Sequence, residues 1–148
     1  MVYNWVVNRV AVPERLPSFC MFGKYSEESN MSNIPFQAID WNTIATTEHK
    51  GDTGMALWRT IQHPGLRIRI VEYSKGYLAN HWCEKGHIVH CLEGAFSSEL
   101  QTGEVFQLSA GMSYVVSDDL SSHRSFTEEG VKLLIIDGDF LQLDPGVK

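Results

Sequence analysis

Between Gly76 and Gly94 the chain reads GYLANHWCEKGHIVHCLEG, which sets His81, Cys83, His87 and His90 close together. Half of the chain's 6 histidines and two of its 3 cysteines fall in this one stretch. Imidazole and thiolate donors gathered so tightly suit a borderline or soft transition metal. The spacing is not that of a zinc finger, which sets paired ligands a few residues apart on each side of a helix or knuckle.

Strand parity suggests how these side chains meet. Tyr77–Cys83 reads as one strand, Glu84-Lys85-Gly86 as a tight turn and His87–Leu92 as the returning strand of a hairpin. Residues two apart share a face, so His81 and Cys83 point one way and Trp82 the other. In this register Cys83 lies opposite His87, and directly opposed residues share a face. His81, Cys83 and His87 are therefore expected to converge, while His90 falls on the other face as a packing or surface residue. Cys91 is expected opposite Ala79, too far along the strand from Cys83 for a disulfide. With an odd number of cysteines, reduced thiols are expected.

The elements that must carry these residues are short strands. They are expected at Ala56–Ile61, Leu66–Tyr73, Tyr77–Cys83, His87–Leu92, Phe96–Gln101, Glu104–Leu108, Met112–Val116, Arg124–Phe126 and Lys132–Asp137. Gly, Pro, Asp or Ser punctuates nearly every gap, as in His63-Pro64-Gly65 and Ser109-Ala110-Gly111. Many short strands with glycine turns imply an antiparallel all-β sandwich or barrel. Ile34–Thr47 reads as an extended loop with Phe36, Ile39 and Trp41 as core anchors. His49 and His63 fall in turn regions, where they are expected to be solvated. Residues 1–30 sustain no period and read as a poorly ordered N-terminal extension that includes Cys20. Met31 opens the domain proper, residues 31–148, and is itself a candidate start.

Composition narrows the partners. A chain of 148 residues that is 43% hydrophobic has enough apolar material for one core. A net charge of −6 without a basic stripe argues against nucleic acid. No apolar run is long enough for a membrane span, and the N-terminus lacks signal-peptide features, so a cytoplasmic location is expected. On Leu66–Tyr73, Arg67 and Arg69 alternate with aliphatic residues and share one face. Either that face is the solvated outside, or it turns into the barrel to hold a carboxylate or phosphate.

The block from Gly76 resembles the first motif of the cupin superfamily, Gly, five residues, His-x-His, three or four residues, Glu, six residues, Gly. Here Gly76, His81, Cys83, His87 and Gly94 occupy the motif, with one residue fewer after the first glycine. Cys83 stands for the second histidine and His87 for the glutamate. Gly111, Ser117-Asp118-Asp119, His123 and Thr127 resemble the second motif. The runs NIPFQAIDW, TEHKG, TGMALWRT, VEYSKGYLANHWCEKGH, GMSYVVSDD and HRS also resemble small proteins named for an Asp-His-Trp-Cys motif, the DHCW-motif cupins. That resemblance covers about residues 33–137 and departs at Asn80, where the group has Asp.

The resemblance implies a single-domain jelly roll, or double-stranded β-helix barrel. It implies a divalent transition metal, zinc or iron before others, held by His81, Cys83, His87 and His123. Arg67, Arg69 and Ser125 are the expected substrate contacts. The function expected is that of a metal-dependent oxygenase or isomerase acting on a small molecule. The alternative is a ligand-binding or metal-sensing module with a closed site of three histidines and one cysteine. A homodimer is expected, because an open jelly roll has edges to protect.

Overall fold

In the last strand, Val131, Leu133, Ile135 and Asp137 are buried and the residues between them are partly exposed. This period of two recurs along the chain and sets the architecture. A computed structural model describes residues 33–143. Its strands are β1 (Thr46–Lys50), β2 (Met55–His63), β3 (Leu66–Tyr73), β4 (His87–Leu100), β5 (Val105–Ser109), β6 (Ser113–Val116), β7 (His123–Phe126) and β8 (Val131–Gly138). Two short 3-10 turns, Trp41–Thr43 and Asp139–Leu141, flank them. No helix among the described residues is long and apolar enough to cross a membrane. The expected extension at residues 1–30, with Cys20, lies outside the described residues.

All pairings between strands are antiparallel, as expected for an all-β jelly roll. The first sheet runs β1-β2-β3-β8-β4-β6 and the second β5-β4-β7. β4 belongs to both. Its first half lies between β8 and β6, and its second half between β5 and β7. It turns from one sheet to the other through a register shift between Cys91 and Glu93, followed by Gly94 at φ 79°. A Cβ at Gly94 would stand 2.6 Å from the Gly130 carbonyl oxygen, so this bend admits only glycine. Between the layers pack Val71, Val89, Cys91, Phe96, Leu108, Val131, Leu133 and Ile135.

Five expectations are corrected. There is no hairpin at 77–92. Both sides of the first half of β4 are taken by β6 and β8, which leaves no edge for Tyr77–Cys83 to pair with. That segment is instead held by single bridges, Leu78 to Thr53 and Phe126, and Cys83 to His123. Cys91 accordingly faces Leu133, not Ala79. The glycine at 94 bends one strand where a break between two was expected. β1 forms where a loop was expected, and Phe36, expected in the core, is 99% exposed.

Candidate metal centre and its cavity

His87 and His123 each open a strand, β4 and β7 respectively, and both are buried. Their rings meet edge to face, with centroids 5.6 Å apart. Cys83 is fixed to His123 by two backbone hydrogen bonds, Cys83 N–H to the His123 carbonyl at 2.7 Å and His123 N–H to the Cys83 carbonyl at 3.0 Å. Its Sγ lies 3.2 Å from His87 Nε2. The donor atoms of Cys83, His87 and His123 all fall within 4.8 Å of one another.

The protonation states suit ligation. His123 Nδ1 donates to the Ser121 carbonyl at 2.8 Å, which turns Nε2 toward the other two donors as the ligating nitrogen. Burial, and then the nearby charge of Arg69, push His87 down to about 4, so its imidazole is neutral at pH 7. Burial pushes the Cys83 thiol up, and a bound cation would reverse that shift. His87 Nδ1 is buried without a partner. Two buried imidazoles and a partly buried thiol fit a divalent transition metal of the zinc or iron type.

The trio borders a cavity of about 280 Å³ inside the barrel. A larger open groove of about 760 Å³ runs beside Phe96, Leu108 and Phe126, and none of the three donors lines it. His81 lines the cavity but is exposed and stands outside the trio. Its Nδ1 is 2.7 Å from Asn80 Oδ1, and Asn80 Nδ2 donates to the Lys50 carbonyl at 3.0 Å. The hairpin that was expected to bring His81 inward does not exist, so three of the four expected ligands come together and His81 does not.

Arg67 and Arg69 turn into the barrel, and the solvated-face alternative is overturned. Both meet Asp137, the inward residue of β8 that lies directly opposite Arg67 and diagonal to Arg69. Arg67 Nη2 donates to Asp137 Oδ2 at 2.6 Å and Arg69 Nη2 to Oδ1 at 3.0 Å. Burial alone would raise the Asp137 carboxyl, but the Arg67 hydrogen bonds and the two guanidinium charges outweigh it and hold it below its ordinary value. Arg69 is 4% exposed, and its guanidinium lies 4.5 Å from the Trp58 ring centroid. His49 stacks on Trp58 at 3.8 Å and so is not simply solvated. Ser125 is buried and lines the cavity. His90 faces away, 2.8 Å from Ser113 Oγ, as parity requires. Asp137 escaped the sequence reading, although period two along LLIID places it inward with Leu133 and Ile135.

No protein-family model matches the chain, and neither does any curated protein. Solved structures do. An ectoine synthase from P. lautus superposes with a TM-score of 0.56 at 19% identity, over 73% of this chain and 80% of that one. The Cnp3 cupin domain of Schizosaccharomyces pombe gives 0.55 at 14%, over 70% and 75%. The chain has the cupin fold. An oxalate decarboxylase from Bacillus subtilis gives 0.53 at 15%, over 76% of this chain and 32% of that longer one. At these identities the likeness establishes the cupin barrel and nothing narrower. The trio and its cavity lie in the interior of that barrel.

Proposed function

We propose that this cupin binds a divalent transition metal through Cys83, His87 and His123 and acts on a small molecule in the adjoining cavity, as an oxygenase or an isomerase. The observation that carries the reading is the convergence of Cys83 with the buried His87 and His123, the last held through Nδ1 by the Ser121 carbonyl. When bound, the ion supplies Lewis-acid or redox chemistry at a coordination position that three protein donors leave open. The chain's own groups do the rest. Ser125 and Tyr114 present hydroxyls to the cavity, Arg67 and Arg69 make its wall cationic, and Val89, Leu133 and Ile135 supply an apolar floor.

The closed four-donor alternative would require His81 to leave Asn80 and turn inward, and nothing in the site favours that movement. Two enzymes among the structural neighbours, the ectoine synthase and the oxalate decarboxylase, show that the fold accommodates catalysis.

The test is metal content by inductively coupled plasma mass spectrometry on protein purified without a metal-affinity column. The expected result is about one zinc or iron per chain, lost in Cys83→Ser and His123→Ala and retained in His81→Ala. Metal absent from the wild type, or unchanged in the His123 variant, overturns the assignment.

A further inference from the structure

Three buried side-chain nitrogens have no hydrogen-bond partner among the described residues: Trp58 Nε1, Arg69 Nε and His87 Nδ1. All three residues line the same cavity. Buried polar atoms are nearly always paired, so three at one place describe a site and not a random defect. Indole and guanidinium nitrogens only donate, so the group that satisfies them must be an acceptor.

The charges agree. Arg67, Arg69, Lys85 and Arg124 line the cavity, while no Asp or Glu among the described residues does. Lys85 is paired with Asp118 at 2.8 Å and Arg124 with Glu99 at 2.8 Å. Arg67 and Arg69 share the single carboxylate of Asp137, which leaves one guanidinium charge without a counter-ion among the described residues. In a chain of net charge −6, this is a local concentration of the opposite sign. A cavity of about 280 Å³ lies at the small end of the range for ligand sites.

We propose that the cavity binds a small organic acid, its carboxylate held by Arg67 and Arg69 with the Trp58 indole N–H as a further donor, beside the Cys83, His87 and His123 cluster. A planar guanidinium matches a carboxylate through paired N–H donors, which favours this anion over a neutral amide of the same shape. The inference rests on reading the cavity as a small-molecule site. It does not depend on the metal being present.

The experiment is calorimetric titration of the full chain, metal-stripped and metal-loaded in parallel, with malonate and with its neutral isostere malonamide. Malonate is expected to bind in both forms, and malonamide in neither. Arg69→Met should weaken malonate at least about tenfold while leaving metal content unchanged. Trp58→Phe keeps an aromatic face for His49 and Arg69 but removes the pyrrole ring with its N–H, and it should weaken malonate about threefold. Equal binding of malonate and malonamide, no binding of either, or inorganic phosphate binding as tightly as malonate would overturn the proposal. Protein that takes malonate but no metal upholds this inference and sinks the metal centre. Protein that takes metal and ignores malonate does the opposite.

Discussion

His87 stands between two demands that pull in the same direction. Its burial and the neighbouring Arg69 both disfavour the imidazolium, and a metal needs the neutral ring. The folded-state value of about 4 lies below the ordinary 6.5, so between these values the unfolded chain binds a proton that the folded chain does not. Stability from this residue is therefore fully present above pH 6.5 and is lost as the pH falls toward 4. In metal-stripped protein, denaturant midpoints should fall across that window, by something on the order of 2 kcal/mol. His87→Gln should flatten the fall, and an identical pH profile in the variant would show that His87 is not the group responsible. The same residue shows how far side-chain chemistry was legible in the sequence. The gathering of Cys83 and His87 was visible in their spacing. That His81 would stay with Asn80 was not, because it depends on Lys50, thirty residues away.

At the scale of elements, the turn between Cys83 and His87 is clamped from outside. Asp118 accepts from Lys85 Nζ at 2.8 Å and from the Gly86 backbone N–H, and Asp119 N–H donates to the Glu84 carbonyl at 2.8 Å. Gly86 fits under this clamp because a Cβ would come within 2.7 Å of the Asp118 backbone nitrogen. Asp118→Ala should release the turn and lower metal affinity about tenfold, read by competition with a chromophoric chelator. The global denaturation midpoint should shift by less than about 1 kcal/mol, since Lys85 and Asp118 form a partly exposed pair. A variant that binds metal as tightly as the wild type would mean that the clamp does not position Cys83. Parity read correctly wherever a strand was real, placing Arg67 and Arg69 on one face and His90 on another. It failed at the supposed hairpin because period two states which way a residue points, not which strand it pairs with. The partners of β4 come from β6 and β8, far along the chain, and no local pattern announces them.

For the molecule as a whole, the outer face of the first sheet carries one apolar row. Ile61 faces Ile68, Ile68 faces Ile136, and Ile136 and Val115 flank Ile88. Val115, at the end of the row, is 69% exposed. A row of this kind on a sheet face can be covered by the same row of a second copy about a two-fold axis. Light scattering should accordingly give a dimer, and Val115→Glu should give a monomer that keeps its metal and its fold. A wild-type monomer at micromolar concentration would remove the expectation of a homodimer. Glycine punctuation and strand spacing made the barrel itself readable from the sequence, whereas the cationic cavity was hidden beneath an acidic net charge. The three donors of the centre also differ in how they are anchored. His87 and His123 each begin a strand within a ladder, whereas Cys83 lies outside the ladders, held by its bridge to His123 and by the clamp on the turn that follows it. Two donors can let go only when the barrel itself opens, and the third whenever one short segment breathes. Chelator access and oxidation of the thiol are therefore expected to follow local opening of that segment and not global unfolding of the barrel.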